Sequence, residues 1–501
     1  MLETWLNRHV QFNFVAILIL VSLSVLTGLI THLLPTQIVL ATIVLIFVIG
    51  LLIWLSQIIG VLSTVAISGI ILSSGFLGTF YESIFVQLIN NVLRWIVPLL
   101  FLLIGLPRLV SPLFMRKNFS TIWGKATLPL VLFLGYNLMS TSYSSSQYTT
   151  FGRALTFTAI TLGMACTLLF SVRSLKDAEK SLRTIAILMA VIVIPGQIYL
   201  FFPGSVGWHS SGRFRSTFWN PVTYSHLLAI LFPLYVWCAT DRRLKLVWRS
   251  LALVMSLFLI VNMLLTGSRT GTFALAMGAL CLLWFLSERR GFSIRQGAFL
   301  VGVSFLIGFV ALNPETILSY FTRDNDLYDL NTLTSTRFSV WEVGLTLWKQ
   351  APLIGSGFGN VTLPDYLPQA IINLPSSLTA NVGYRLSNLY LETLVTGGIF
   401  GFTLLFSVVS SFAWIFISSA RTSTGPNRRL FIVGLTIFIT GLILNSTETW
   451  MVSAGSPFAM YWWFVLFVTT RPAVFDQHSA KTNVAPSYKF VSRSVIDARL
   501  L

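Results

Sequence analysis

Charged residues are scarce in this chain, since only 10% of its 501 residues are Asp, Glu, Lys or Arg. A water-soluble protein of this length would carry roughly a quarter of its residues as charged side chains. Hydrophobic residues instead make up 55% of the sequence, and the mean hydropathy is +0.80. This composition excludes a soluble multidomain protein and predicts a chain that crosses a membrane many times.

Cysteine and histidine are also rare, with 3 and 5 residues. Cys166, Cys238 and Cys281 lie inside apolar runs, where a thiol behaves as a small hydrophobic group. No cysteine pair has the spacing of a metal site or of a disulfide framework. The histidines form no H-x-x-H pair and have no carboxylate cluster within helical reach. We therefore expect neither a metal nor another cofactor.

Apolar runs of about 17 to 25 residues, the length needed to cross a hydrocarbon core of about 30 Å, recur along the sequence. Residues 37–75 form one nearly continuous stretch, which we divide near Gln57 because it is twice the length of one spanning helix. Fourteen runs result, at 13–33, 37–55, 57–75, 85–106, 123–140, 153–172, 184–202, 221–240, 246–265, 270–287, 294–312, 398–418, 429–447 and 456–470. The predicted fold class is therefore an all-α polytopic membrane helix bundle of about 14 transmembrane helices.

Basic residues outnumber acidic ones by 33 to 16, and their distribution predicts the topology. With a cytoplasmic N-terminus, 24 of the 33 fall in cytoplasmic segments and the adjoining helix ends, as the positive-inside rule requires. One helix more or fewer would exchange the sides of every later loop and destroy this agreement. We therefore expect both termini in the cytoplasm. The cytoplasmic charges are interpreted as topology signals and contacts with anionic lipid, and no nucleic-acid partner is expected.

One predicted extracytoplasmic segment, residues 313–388, is much longer than the other loops. Its stretch TRFSVWEVGLTLWKQ, at 336–350, has the pattern of an amphipathic helix. Val343, Leu345 and Leu347 lie among polar residues in this pattern. Large loops on one face of a protein are more often sites of recognition than plain connections. The segment is therefore expected to take part in substrate recognition.

The predicted topology divides the chain into five regions. These are an N-terminal transmembrane bundle at 1–202, transmembrane helices with arginine motifs at 203–312, the extracytoplasmic loop domain at 313–388, C-terminal transmembrane helices at 389–470, and a cytoplasmic tail at 471–501. The tail combines Ser, Pro and Asn with scattered charge, so it is expected to be disordered.

Two short outer segments carry arginines at the edge of the membrane. GWHSSGRFRSTFWNP contains Arg213 and Arg215, and the tight turn TGSRTG contains Arg269 between two apolar runs. A charged side chain near hydrocarbon is normally paired, and an anionic ligand that matches the guanidinium fork is one explanation. Snorkelling to the interface, or pairing with a distant acid such as Glu342, is the other.

These motifs and three further ones, in this order, resemble the superfamily of O-antigen ligases and of O-antigen and exopolysaccharide polymerases of bacterial envelopes. The matching pieces are SGRFRSTFWNP around Arg213, LLTGSRTG at 264–271, Arg337 followed by Trp341, PLIGSGFGN at 352–360, and SNLYLETLVTGGIFG at 387–401. The resemblance covers about residues 205–445. The TGSRTG and NLYLETLVTGGIFG elements are its most specific parts.

The resemblance implies a metal-independent, glycosyltransferase-like enzyme of the bacterial plasma membrane with its active site on the outer face. Its donor would be a glycan on undecaprenyl diphosphate, and the acceptor would be a hydroxyl group. Arg213 and Arg269 match the family's arginines and would clamp the diphosphate, with Arg215 as a third. The other substrate-binding candidates are His209, Arg337, Arg385, Ser387, Asn388 and Tyr390. Membrane lipid and a chain-length regulator are the further partners.

The chain departs from the ligases at Ser387, where they carry a histidine thought to activate the acceptor hydroxyl. Serine cannot accept a proton at neutral pH unless another base activates it. The substitution favours a polymerase over a ligase to lipid A core, because polymerases of the superfamily vary more at this position. The candidates for a general base are Glu342, Asp365 and His209. Glu392 is less favoured because it would cap the start of a helix.

Several motif residues have two interpretations. The glycines of PLIGSGFGN either cradle a phosphate or form a turn that packs the outer loop on the bundle; the turn is favoured, because no strand and helix N-terminus frame them. Asn388 and Tyr390 either bind sugar or hold the loop to the helix. Trp208 and Trp219 either stack on sugar rings or belong to the interfacial aromatic belt, and the belt is favoured.

A transporter is the alternative from another functional class, either a flippase for lipid-linked oligosaccharide or a carrier of small anions. A flippase should have two similar halves and charged residues within its spans. Here no internal repeat is visible, and Arg94 is nearly the only charge inside a run. A non-catalytic relative that acts as an assembly partner is a third alternative, which Ser387 keeps open.

Overall fold

The computed structural model describes residues 122–172, 174–202, 205, 207–209, 212–216, 218, 220–286, 337–359, 386–453 and 456–470. Ten α-helices lie within these residues: α1 (Ile122–Met139), α2 (Gln147–Ser171), α3 (Leu175–Val193), α4 (Pro221–Thr240), α5 (Leu246–Thr266), α6 (Arg269–Leu286), α7 (Arg337–Gln350), α8 (Leu389–Thr422), α9 (Gly425–Asn445) and α10 (Pro457–Thr470). Short 3-10 helices occupy Ser140–Ser142 and Pro195–Phe201. The described part of the chain is thus helical, as predicted.

The predicted spans agree within about four residues with six of these helices, α1, α4, α5, α6, α9 and α10. The runs at 221–240 and 246–265 match α4 and α5 within one residue. Three starts were wrong. Helix α2 begins six residues before the run at 153. Helix α3 begins nine residues before the run at 184, because the hydroxyl of Ser174 accepts the Asp177 N–H at 3.2 Å and caps a polar first turn. Helix α8 likewise begins well before residue 398. The runs at 13–33, 37–55, 57–75, 85–106 and 294–312, and the tail, lie outside the described residues.

Helices α4, α5, α8 and α9 are each long and apolar enough to cross a membrane. Helix α10 is shorter, and its sequence PFAMYWWFVLFVTT is apolar on every side. A helix of that kind belongs in a core. Its residues from Phe458 to Thr470 are accordingly buried, with Trp462 stacked on Phe438 and Trp463 stacked on Phe467. Helix α10 is therefore a central element of the bundle.

The short connections define two ends of the bundle. At one, which we call the motif end, the segment 207–220 meets the turn between α5 and α6, and the start of α8 meets the segment after α9 through the Leu389 N–H and the Glu448 carbonyl, 3.1 Å apart. At the other, the far end, Arg429 at the start of α9 lies 3.5 Å from the carbonyl of Thr240, the last residue of α4. The described motif segments therefore lie at one end of the bundle.

A cluster of four charged side chains lies at the far end, between α3 and the segment after α4. We call Glu179, Arg183, Asp241 and Arg243 the charge quartet. Arg183 contacts Asp241 at 2.6 Å, and Arg243 contacts Glu179 at 2.7 Å and Asp241 at 2.9 Å. Both carboxylates are buried. Carboxylates within the fold thus partner Arg183 and Arg243, and their predicted contact with anionic lipid stays a prediction.

Within the charge quartet, Arg243 lowers the pKa of the buried Asp241. Burial alone would raise the pKa of Asp241, but hydrogen bonds from Arg243 outweigh it and lower the pKa below its ordinary value of 3.8. The same contact with Asp241 is the main cause of a raised pKa for Arg243. Asp241 and Arg243 are therefore ionised partners at neutral pH.

Helix α7 confirms the amphipathic helix predicted at 336–350. Its buried face includes Val340, Val343 and Leu347, which form a small hydrophobic cluster with Leu386 and Val395 next to α8. Leu345 had been counted among the apolar positions of the pattern, but it is 46% exposed. The buried positions follow the helical repeat at residues 340, 343 and 347, and 345 lies off that face.

Candidate functional site

A tight hairpin holds Arg213 at the motif end. Trp208 and Phe214 form an antiparallel bridge, and the Arg213 carbonyl accepts the His209 N–H at 2.8 Å. The chain reverses at Gly212, whose φ of +72° lies in the left-handed region that glycine adopts without strain. His209 therefore lies across the hairpin from Arg213, as a neighbour fixed by backbone pairing.

Aromatic packing fixes the hairpin on the bundle. The ring of Phe214 lies 5.3 Å from that of Trp208 and 5.9 Å from that of Tyr224 in α4. The Phe214 N–H donates to the Leu265 carbonyl at 3.0 Å, and the Trp208 indole N–H donates to the Tyr199 carbonyl at 2.8 Å. The ring and the nitrogen of Trp208 thus both contact the fold, and sugar stacking and a place in the interfacial belt stay predictions. Trp219 lies outside the described residues.

The Arg213 side chain reaches the turn between α5 and α6. Its Nε donates to the Thr266 carbonyl at 2.5 Å. A Cβ placed on the next residue, Gly267, would lie 3.3 Å from the same Nε, and Gly267 has a φ of +56°. The glycine of TGSRTG therefore has two roles, because it supplies a left-handed turn and leaves room for the guanidinium.

Arg269 begins the helix that leaves this turn. The Ser268 hydroxyl accepts the Gly271 N–H at 3.3 Å, which is the contact of a helix N-cap. The Nη2 atoms of Arg213 and Arg269 are both buried. The Arg213 guanidinium thus lies against the turn from which Arg269 begins α6, at the positive end of the dipole of this helix, and this arrangement favours an anion. Arg215 follows in the hairpin, where its N–H donates to the Gly207 carbonyl at 2.9 Å.

The start of α8 organises a second group of candidates. Ser387 has a φ of +48°, a left-handed conformation that is uncommon for residues other than glycine. The side-chain oxygen of Asn388 accepts the N–H groups of Tyr390 and Leu391 at 3.0 and 3.1 Å. Asn388 is therefore the N-cap of this helix, and Glu392 lies in its first turn. A carboxyl oxygen of Glu392 is buried one turn inside the helix.

Tyr390 and helix α7 tie this second group to the rest of the fold. The Tyr390 hydroxyl donates to the Leu442 carbonyl of α9 at 3.0 Å. The Trp341 indole N–H donates to the Leu386 carbonyl at 3.1 Å, just before Ser387. These contacts, together with the cap, support the interpretation that Asn388 and Tyr390 hold the loop to the helix; sugar binding by them stays a prediction. Glu342 is exposed on α7, next to Trp341.

Helix α8 is broken at Gly398, where φ is 61° and ψ is −165°. A loop of residues 352–359, which we call the glycine loop, fills the break. Four backbone hydrogen bonds of 2.9 to 3.2 Å join them, from Ser356 to Val395, Gly357 to Thr396, Ile399 to Pro352 and Phe400 to Leu353. The backbone groups released by the break are thus satisfied within the protein, as an apolar environment requires.

The glycines of PLIGSGFGN serve packing, as the favoured interpretation predicted. A Cβ on Gly355 would lie 2.4 Å from the Thr396 carbonyl carbon, and a Cβ on Gly357 would lie 2.5 Å from the side chain of Ser144. The Gly359 carbonyl accepts a hydrogen bond from Arg153. The loop therefore approaches α8 and the α1–α2 connection closely, and side chains would prevent this contact.

The structure thus brings the candidates into two groups. The hairpin group contains His209, Arg213, Arg215 and Arg269, and the α8 group contains Glu342, Ser387, Asn388 and Tyr390. Asp365 and Arg385 lie outside the described residues, as does the side chain of Arg337, the first residue of α7. Among the described residues, no group of three or more His, Cys, Asp or Glu could hold a metal ion.

Sequence reasoning missed the broken helix and its partnership with the glycine loop. The available signal was the Gly397–Gly398 pair within an apolar run, since adjacent glycines mark kinks. The contact between this break and PLIGSGFGN could not be predicted from the sequence. The two motifs are separated by about 40 residues, many of them in the long outer segment.

Comparison with known protein families gives one match. No curated protein matches the chain. Residues 254–406 match the family described as O-antigen ligase, which is less than a third of the chain. The matched region runs from within α5, through Arg269 and α7, to beyond the break in α8. This match confirms the resemblance of the chain to the superfamily of O-antigen ligases and polymerases.

Proposed function

We propose that the protein is a membrane glycan polymerase that transfers oligosaccharide from an undecaprenyl-diphosphate-linked donor to an acceptor hydroxyl. The family match supports glycan transfer of the O-antigen ligase or polymerase type in general. The observation that carries the specific proposal is the position of Arg213, whose guanidinium lies against the glycine turn from which Arg269 begins α6. The motif end would face the exterior of the bacterial plasma membrane, as the distribution of basic residues predicts.

The chemistry of this transfer requires stabilisation of a leaving diphosphate. The bond between the anomeric carbon and the phosphate oxygen breaks, and a bond forms between that carbon and the acceptor oxygen. Negative charge develops on the diphosphate, where preorganised cations and a helix N-terminus lower the barrier. Arg213 and Arg269 would clamp it, with Arg215 nearby. No metal ion is needed if the guanidinium groups supply this charge.

The proton of the acceptor hydroxyl must also pass to a base. Glu342 is the candidate within the described residues of the α8 group, because it lies on α7 beside Trp341, which holds the backbone before Ser387. Serine at 387 favours a polymerase, and transfer to lipid A core by a ligase is the second candidate. The family description, O-antigen ligase, keeps that second candidate open.

A reconstitution experiment tests the proposal directly. The purified full-length protein is placed in liposomes with lipid-linked oligosaccharide, EDTA, no ATP and no ion gradient, and glycan length is followed by mass spectrometry. We expect the donor to be converted into longer glycan with release of the carrier diphosphate. Transfer only to added lipid A core would identify the ligase instead. Movement of unchanged donor across the bilayer would identify a flippase and contradict glycan transfer.

A further inference from the structure

The first part of α8 forms a unit with α7. The segment Leu389–Gly397 is a half-helix bounded by the Asn388 cap at one end and by the break at Gly398 at the other. Its Val395 and Leu391 pack in the small hydrophobic cluster with α7, whereas Leu389, at its start, belongs to the large core. The orientation of this half-helix therefore depends on how its two ends are held.

Two tyrosines outside the family-matched region hold the broken end. The hydroxyl of Tyr136, in α1, lies 2.8 Å from the Gly397 carbonyl and 3.0 Å from the Ile354 carbonyl. The hydroxyl of Tyr143, just after α1, lies 2.9 Å from the same Ile354 carbonyl and 3.2 Å from the Tyr136 hydroxyl. The pair thus contacts the break and the glycine loop at once.

Each tyrosine hydroxyl can donate to only one of the two carbonyls. A phenol carries one proton, so each hydroxyl donates one hydrogen bond at a time. Both carbonyls are satisfied when Tyr136 donates to Gly397 and Tyr143 donates to Ile354. The Gly397 carbonyl lies directly before the break, where the backbone turns away from helical geometry. A buried carbonyl without a donor is costly, so the Tyr136 hydroxyl stabilises the broken conformation.

Small residues allow the Tyr136 ring to reach this position. A Cβ on Gly397 would lie 3.6 Å from ring atom Cε1, and a Cβ on Gly401 would lie 3.1 Å from it. The glycines before and after the break therefore form a flat surface for the ring. The three glycines of TGGIFG thus serve both the break and its contact with α1.

We propose that Tyr136 is a positioning residue that fixes the end of the half-helix opposite Ser387 and Asn388. The half-helix spans under three turns, so a shift at Gly397 displaces its first residues as well. Tyr136 would thereby set where the α8 group stands relative to Arg213 and Arg269. The effect of Tyr136 on catalysis rests on the proposed function. The claim that its hydroxyl holds the broken end of α8 in place does not.

The test compares Tyr136→Phe, which keeps the ring and removes the hydroxyl, with Tyr148→Phe as the matched control. Tyr148 lies in the first turn of α2 and is 92% exposed. Hydrogen exchange is measured on the full-length protein in lipid nanodiscs. Exchange at 352–357 and 395–400 should rise roughly tenfold in Tyr136→Phe and stay unchanged in Tyr148→Phe, while exchange in α9 remains as in the parent protein.

The same variants are then assayed with the lipid-linked donor. A positioning role predicts that kcat falls roughly tenfold while the KM for the donor stays unchanged, because the arginine group is untouched. Unchanged exchange at the break, or changed exchange with an unchanged kcat, overturns the proposal. If the parent protein converts no donor, the proposed function fails, and the exchange comparison alone upholds or overturns the mechanical role of Tyr136. If Tyr136→Phe does not accumulate in membranes, Tyr143→Phe replaces it, with the rise in exchange expected at 352–357.

Discussion

At the far end of the bundle, the charge quartet matches two guanidinium groups with two carboxylates, whereas at the motif end Arg213 donates to the backbone carbonyl of Thr266. The far end uses arginine to join helices, since each charge meets an opposite charge from the fold. At the motif end, the Arg213 side chain contacts the turn from which Arg269 begins α6, at the positive end of that helix. The comparison teaches that arginine at a predicted membrane edge acquires its role from its neighbours, which the first and third of the four predictions below test.

The largest effect is expected from the arginines of the motif end. Arg213→Ala and Arg269→Ala should each lower kcat for glycan transfer about 100-fold to 1,000-fold, because in the proposed mechanism each removes a cation from the leaving diphosphate. Protein level in the membrane should stay unchanged. Arg421→Ala, in the exposed last turn of α8, is the control and should retain full activity. Near-normal glycan length in both motif-end variants would remove the clamp from the mechanism.

The second effect concerns the broken helix α8, where alanine at Gly398 should destabilise the protein much more than alanine at the adjacent Gly397. Gly398 has backbone angles that only glycine adopts readily, and its Cβ would lie 2.2 Å from the Leu353 carbonyl oxygen. Gly398→Ala should therefore lower the free energy of unfolding by roughly 3 kcal/mol. Gly397→Ala meets its nearest neighbour at an ordinary 3.6 Å and should cost much less. Thermal unfolding in detergent compares the two, and equal losses would contradict the described break.

The third effect tests the far end with neighbouring arginines. Arg243→Ala should lower the free energy of unfolding by about 2 kcal/mol, because it leaves the buried Asp241 and Glu179 with one guanidinium between them. Arg242, which is exposed, serves as the control, and Arg242→Ala should have little effect. Glycan transfer per folded molecule should be the same in both. A loss of transfer without a loss of stability would give the far end a catalytic role.

The pH dependence of unfolding sharpens this third test. The pKa of Asp241 is lowered in the folded protein, so its contribution to stability is present above the ordinary value of 3.8 and is lost as the pH falls through the lowered pKa. In Arg243→Ala the lowering is reduced, so the loss on acidification should begin at a higher pH. Unfolding profiles of the parent and the variant that coincide after scaling would contradict this account.

The smallest effect is expected at Ser387. Histidine is enriched among residues with left-handed backbone angles, so Ser387→His should fit the local φ of +48° and change stability by less than about 0.5 kcal/mol. If the missing histidine alone separates this chain from ligases, the variant should gain transfer to an added lipid A core acceptor. Ser387→Ala is the control for loss of the hydroxyl. No gain in Ser387→His would place acceptor choice elsewhere, such as in the outer segment.

The fold class could be predicted from the sequence because it depends on features of short stretches of the chain. Apolar run length, the caps of helices and the amphipathic pattern at 336–350 are properties of neighbouring residues, and α4 and α5 match their runs within one residue. The start of α3 was missed because a polar first turn with charged side chains does not read as a membrane run. The break in α8 was missed because hydropathy does not distinguish a glycine that bends from one that packs.

The sequence by itself determined the helical membrane character of the chain, the superfamily resemblance and the arginines worth testing, because composition and motif order contain that information. The tertiary structure alone decided that Arg213 meets the TGSRTG turn, that Arg183 and Arg243 belong to carboxylates, and that the glycine loop completes the break in α8. These contacts join residues tens of positions apart, or depend on which side of a helix faces inward. Such pairings are set by the packing of whole helices and cannot be read from the local chain.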